Sequence, residues 1–343
     1  MSSGPDRQAP RAVVFGCAGP RLTADEERLF RDADPLGFIL FARNIETPDQ
    51  VRALTQALRG CVGRADAPIL IDQEGGRVQR LRPPYWADRA PMRRFGELAE
   101  TDREAGIEAV TLTARLIADD LAGLGIDVDC APVLDLPAAD GHEIIGDRAF
   151  STDTGMIAAL GRAVCDGLEA GGVMPVIKHI PGHGRATADS HMELPHVAAS
   201  LEEMRRTDFE PFSELRDAAA GMTAHIVYEA IDPLFPCSAS PTVIGDIIRG
   251  EIGFDGLLFS DDICMKALQG PYGERTRAVL DAGCDVALHC DGDFAAMTEI
   301  ADCCPPMRAD SLARLDRARR PAADSSGFDR DAAEARISAL LGT

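Results

Sequence analysis

Residues 172–196, GVMPVIKHIPGHGRATADSHMELPH, decide how this chain is read. Val173–His179 is a short apolar run of the kind that forms a strand buried on both faces. It ends in Lys178 and His179, and His183, Asp189, His191 and His196 follow closely. Four of the chain's seven histidines therefore sit in this one segment. A packed core has no use for such a density of ionisable groups, since each would need a buried partner. A catalytic loop at the end of a strand does. A second apolar run, GLLFSDD at 256–262, ends in Asp261 and Asp262. A histidine-rich loop and a strand-end carboxylate together point to acid/base plus nucleophile chemistry.

The same pattern repeats along the chain. Strands are expected at 12–16, 37–41, 69–72, 127–131, 173–179, 222–227, 256–260 and 286–289. Helical periodicity falls between them at 23–31, 48–59, 101–124, 154–170, 201–220 and 241–252. Strands alternating with helices predict a parallel sheet. Eight such units fit one α/β domain spanning 1–343, a single (β/α)8 TIM-type barrel with a C-terminal helical tail at about 305–343. A doubly wound open sheet is the runner-up, but GCAGP at 16–20 lacks the spacing of a dinucleotide-binding turn. Asp72, Lys178, His179, His225, Asp261 and His289 all fall at or just after predicted strand ends, the rim where this fold builds chemistry.

Composition narrows the partners. The apolar fraction of 45% suits a sizeable core, and the net charge of −21 opposes binding to nucleic acid or an anionic membrane. Only Lys178 and Lys266 are lysines in a chain otherwise rich in arginine, so Lys178 stands out as a compact point charge. The ten cysteines are scattered, with no CxxC pair, and read as reduced thiols rather than metal ligands. The apolar run near the N-terminus is too short for a signal peptide, and nothing approaches a membrane helix. A cytoplasmic protein, monomeric or weakly self-associating, is expected.

The strings IDQEGGRVQRL (71–81), GDRAF (146–150), KHIPGHGRATADSH (178–191), MTAHIVY (222–228) and FSDDICM (259–265) resemble the bacterial β-N-acetylglucosaminidases of glycoside hydrolase family 3. The subgroup it looks like is the single-domain cytoplasmic one that works in peptidoglycan recycling. The resemblance runs from about residue 12 to 300. It implies a cofactor-free and metal-free retaining hydrolysis in which Asp261 attacks the anomeric carbon. It implies His191 as the acid/base, held by Asp189, a role suited to imidazole because it titrates near neutrality. It places Asp72, Arg80, Arg148, Lys178 and His179 on the sugar. The expected substrate is a muropeptide, GlcNAc joined to 1,6-anhydro-N-acetylmuramic acid. Two departures from the family pattern are Ile180, where phenylalanine is usual, and Arg185, where aspartate is usual.

Several residues carry blander readings. Asp262 is expected to point away from Asp261 and to cap a helix at 263–268. His183 suits a substrate contact or a loop hinge, and His225 a hydrogen-bonding role on the floor of the site or a satisfied place in the core. His196 and His289 are read as structural and His142 as exposed. Glu74 and Glu193 are the fallback acids. A metal-dependent amidohydrolase would need an HxH pair on the first strand, which has Gly-Cys-Ala instead. A glycoside phosphorylase is closer, because a histidine acid/base leaves room for phosphate to attack the intermediate. A non-catalytic sugar-binding barrel would keep Asp72 and Lys178 but have no need of Asp261 together with Asp189 and His191.

Overall fold

The computed structural model describes residues 9–138, 144–186, 194–319 and 327–342. The strands in chain order are β1 (Arg11–Phe15), β2 (Pro35–Leu40) and β3 (Ile69–Ile71), a hairpin of β4 (Gln73–Gly75) and β5 (Val78–Gln79), then β6 (Val128–Asp129), β7 (Met174–Ile180), β8 (His196–Val197), β9 (Ala220–Thr223), β10 (Val227–Tyr228), β11 (Leu257–Asp262) and β12 (Val286–His289). Eight of them close into a barrel in the order β1-β12-β11-β9-β7-β6-β3-β2, every pair parallel. All eight overlap the strands expected from the sequence. The fold is a (β/α)8 barrel. The barrel strands are apolar on both faces because helices cover the outside and side chains fill the inside, so β2, β3 and β7 are buried throughout.

The helices begin where local chemistry allows. Thr23 and Glu26 form a reciprocal capping box at the start of α1 (Ala24–Ala33). Thr47 caps α2 (Pro48–Val62), with proline in the first turn. α3 (Met92–Thr101) and α4 (Arg103–Ala122) precede β6, and Asp153 caps α5 (Thr154–Ala170). Then come α6 (Leu201–Arg206), α7 (Glu210–Glu214), a wide π-type helix at Val243–Glu251, α8 (Tyr272–Ala282), α9 (Phe294–Cys303), α10 (Ala309–Ala318) and α11 (Arg330–Leu341). α11 lies against α4, burying Ala333 and Ile337 beside Leu116. No helix among the described residues is long and apolar enough to cross a membrane.

Three expectations need correction. The helix read over 201–220 is broken into α6 and α7, because Asp208 turns inward and is buried against Arg185 at 2.7 Å. That pair also gives Arg185, one of the two departures from the family pattern, a structural role, joined by Glu203 at 2.8 Å. The sixth barrel strand runs two residues earlier than expected and stops at Thr223. Val227–Tyr228 instead pairs with His196–Val197 in a separate two-stranded sheet. The helix expected at 263–268 does not form: the Ile263 carbonyl accepts from Arg275 at 2.9 Å rather than from a helical N–H. Asp262 therefore caps no helix. Its Oδ1 accepts from the Cys264 and Cys290 N–H groups at 3.0 and 3.2 Å, tying the end of β11 to the residue after β12.

Candidate active site

At the C-terminal rim of the barrel a cavity of about 380 Å³ is lined by Asp72, Glu74, Arg80, Arg148, Lys178, His179, His183, Asp261 and Asp262, with apolar walls from Ile39, Phe41 and Met222. Six residues singled out from the sequence thus meet in one place: Asp72, Arg80, Arg148, Lys178, His179 and Asp261. They come from four separate stretches of chain. His191, Asp189, His142 and Glu193 lie outside the described residues. His196 is largely exposed beside Glu229, at 3.4 Å.

The floor is a buried lattice of charges. Lys178 Nζ sits 2.9 Å from Asp72 and 2.7 Å from Glu74. Arg80 closes on the other Asp72 oxygen at 2.9 Å, and Arg148 grips Glu74 with two nitrogens, each at 2.8 Å. The β4–β5 hairpin makes this possible. It returns the chain from Asp72 to Arg80 within a few residues, and Gln73 Oε1 accepts from the Arg80 and Leu81 N–H groups. Burial alone would push both carboxyls up, but the cations prevail. Lys178 and Arg80 hold Asp72 well below the usual carboxylate range, and Arg148 and Lys178 bring Glu74 down to about 2. Glu74 is therefore ionised at neutral pH with its oxygens already engaged, which removes it as the fallback proton donor.

His179 is held by a residue that the sequence reading missed. Asp135, fully buried, lies 2.7 Å from His179 Nδ1 and accepts from the His183 N–H at 2.6 Å. Burial opposes its charge, but His179 and then His183 bring its carboxyl to about 2. A carboxylate at Nδ1 fixes the proton there in neutral imidazole, leaving Nε2 as the nitrogen available to a ligand. The signal was present in PVLDL (132–136), a lone acid inside an apolar run, but its partner lies 44 residues away. The loop between them is shaped by glycine. Gly182 has φ +136°, and a Cβ at Gly184 would lie 1.8 Å from the Leu136 carbonyl oxygen, so PGHG cannot carry a larger residue there. Burial and the neighbouring His179 press His183 down to about 4, so it is neutral near pH 7.

Asp261 differs from the other carboxylates. Among the described residues it makes no ion pair with arginine or lysine, and its Oδ1 accepts only from the Asp262 N–H, at 2.8 Å. Burial pushes its carboxyl up, yet His225, His179 and the Asp262 N–H hold it below the ordinary value. His225 is buried behind the aspartate pair, bonded to the Asp262 carbonyl at 3.0 Å and to Ser238 at 2.6 Å. An ionised carboxylate facing a cavity and committed to no cation is what a nucleophile requires.

Beneath the lattice, Asp129 on β6 is buried, with Oδ1 accepting from the Gln73 N–H at 2.9 Å and no hydrogen bond to Oδ2 among the described residues. Burial pushes its carboxyl up from the model-peptide value of 3.8 to about 7. A carboxyl raised in the folded state favours folding while protonated, and that advantage is lost as pH rises through the raised value. Each pH unit in that window is worth about 1.4 kcal/mol. Asp129→Asn is accordingly expected to gain on the wild type as pH rises from about 4 to above 7, read from urea midpoints across that range. A stability difference constant with pH would contradict it.

The chain is similar to known proteins over most of its length. The family described as glycosyl hydrolase family 3 N terminal domain matches residues 13–311. A protein named beta-hexosaminidase from Pseudomonas aeruginosa is 40% identical over 296 residues, covering 84% of this chain and 85% of its own. The crystal structure of native NagZ from Neisseria gonorrhoeae superposes with a TM-score of 0.88 at 32% identity, covering 97% of this chain and 98% of that one. The same gonococcal protein in complex with N-trifluoroacetyl-D-glucosamine also has a TM-score of 0.88, with coverage of 97% and 99%.

Proposed function

This chain belongs to glycosyl hydrolase family 3, and on that premise we propose that it is a retaining exo-β-N-acetylglucosaminidase that removes non-reducing GlcNAc from cell-wall muropeptides in the cytoplasm. The observation that carries the reading is the rim cavity in which one uncommitted carboxylate, Asp261, faces a lattice of polar groups fixed by their own ion pairs.

In this reading the Asp261 carboxylate attacks C1 of the sugar, and the C1–O bond to the leaving group breaks. The departing oxygen takes a proton from His191, whose imidazolium is stabilised by Asp189. Water then gives a proton back to His191 and displaces Asp261 from C1, restoring both groups. Asp72, Arg80, Arg148, Lys178 and His179 hold the hydroxyls and the acetamido group. Since their charges are already balanced within the protein, they meet the sugar without first being rearranged, which limits the ordering cost of binding.

The test is p-nitrophenol release from the β-GlcNAc and β-glucose conjugates without added metal. Release from the first alone is expected; equal release from both would refute the assignment to N-acetylated sugar. His191→Ala is expected to lower turnover of a GlcNAc–anhydromuramoyl substrate by about 10²–10⁴-fold, the usual worth of general acid catalysis. The aryl conjugate, whose leaving group needs little protonation, should suffer much less. Equal losses on both substrates would argue against His191 as the acid.

A further inference from the structure

Just outside the cavity, on the same rim, three side chains converge that play no part in the proposed hydrolysis. Cys264 follows β11, His289 ends β12, and Asp291 lies two residues further on. One ligand atom from each lies within 4.8 Å of the other two. His289 Nε2 and Asp291 Oδ1 are 3.1 Å apart, the spacing of two neighbouring ligands on one small ion.

His289 is fully buried: its Nε2 faces the Asp291 carboxylate without a well-aligned hydrogen bond, and its Nδ1 makes no hydrogen bond among the described residues. A buried imidazole with no such bond is unusual, because each ring nitrogen that loses water needs a replacement partner. Its ring is held in place by edge-on packing from Phe15 at 5.9 Å and Tyr272 at 5.7 Å. The backbone beneath is fixed as well: the Ile263 N–H donates to the Leu288 carbonyl at 2.9 Å, and Asp262 bonds the Cys264 N–H. Asp291 is exposed and Cys264 half-buried, which leaves a way in from solvent.

We propose that Cys264, His289 and Asp291 bind a zinc-like divalent cation, distinct from the sugar cavity. The donor set chooses the metal. One sulfur, one imidazole and one carboxylate suit a borderline-soft ion that favours four ligands, whereas magnesium and calcium demand oxygen. On binding, the Cys264 thiol releases its proton to solvent, and the thiolate with the Asp291 carboxylate balances the two positive charges. Water completes the tetrahedron. The metal would then join the end of β11, next to Asp261 and Asp262, to the end of β12.

The test uses the full-length protein, stripped with a chelator and titrated with cobalt(II), which reports its ligands by colour. One equivalent should produce the near-ultraviolet absorption of a thiolate–cobalt bond, and zinc should bleach it. Folded Cys264→Ser should lack the absorption. Asp291→Asn, at an exposed position, should weaken binding by more than the roughly tenfold that even an outer partner of a metal ligand contributes. Asp261→Asn and His183→Ala should leave the absorption intact, which separates this site from the sugar cavity and from the hydrolytic reading. No thiolate absorption in the wild type, or its survival in Cys264→Ser, would overturn the proposal.

Discussion

Asp261→Asn is expected to lose turnover of p-nitrophenyl β-GlcNAc by about 10⁴-fold or more, in line with removing a nucleophile from a hydrolase whose binding groups remain. The expectation rests on a contrast within one cavity. Asp72 and Glu74 are ionised but bound to Lys178, Arg80 and Arg148, so their lone pairs are already engaged. Asp262 is turned toward the Cys264 and Cys290 N–H groups, and burial pushes its carboxyl up to about 6. Only Asp261 combines ionisation, cavity exposure and freedom from a cation among the described residues. Asparagine keeps its shape and can still accept from the Asp262 N–H, so the variant should fold. Asp262→Asn should fall less far in the same assay. If Asp261→Asn kept activity within tenfold of the wild type, or if Asp262→Asn proved the more damaging, the nucleophile would have to be sought elsewhere.

Lys178→Met is expected to lower stability at neutral pH by about 3 kcal/mol, the lower end for stripping one partner from a buried ion pair. The Lys178 side chain is 3% exposed, and its removal leaves two buried carboxylates sharing the two arginines at the edges. Arg148 on Glu74 and Arg80 on Asp72 soften the loss, which is why the lower end applies. The pH dependence gives an independent check. In the wild type both carboxyls are lowered on folding, so their contribution is complete above the model-peptide values, 3.8 for Asp72 and 4.5 for Glu74. It fades as pH falls toward the folded value, about 2 for Glu74. Without Lys178 that advantage shrinks, so the gap between variant and wild type should narrow as acid is added. Urea denaturation at a series of pH values reads both the size and the slope. A variant as stable as the wild type at neutral pH would mean that the lattice serves geometry without serving stability.

The barrel could be read from the sequence because its strands are short apolar runs bounded by glycine, proline and acid, a pattern that parallel strands share wherever helices cover them. The site could be read because strand ends are marked: Asp72, Lys178, His179 and Asp261 each close such a run. What stayed hidden depends on partners distant in the chain. The break at 207–209 follows from Arg185 claiming Asp208, and an amphipathic repeat carries no trace of that. Asp135 sits in an apolar run where only the fold reveals His179 beside it. The turn after Asp262 replaces the expected helix because Arg275, on the following helix, takes a carbonyl the helix would have used. The scattered cysteines gave no spacing signal for metal, and Cys264 meets His289 and Asp291 only because β11 and β12 lie side by side.

Barrel closure has a consequence for how the chain is made. β1 pairs with β12 through Val13↔Ala287 and Phe15↔His289, so the seam joins the first described strand to the last. Translation proceeds at about 5–20 residues per second, so the early strands wait tens of seconds for their final neighbour. Throughout that interval the nascent half-barrel offers unpaired N–H and C=O groups along β1 and along whichever strand was made last, edges to which other chains can add. The finished barrel has no edge at all.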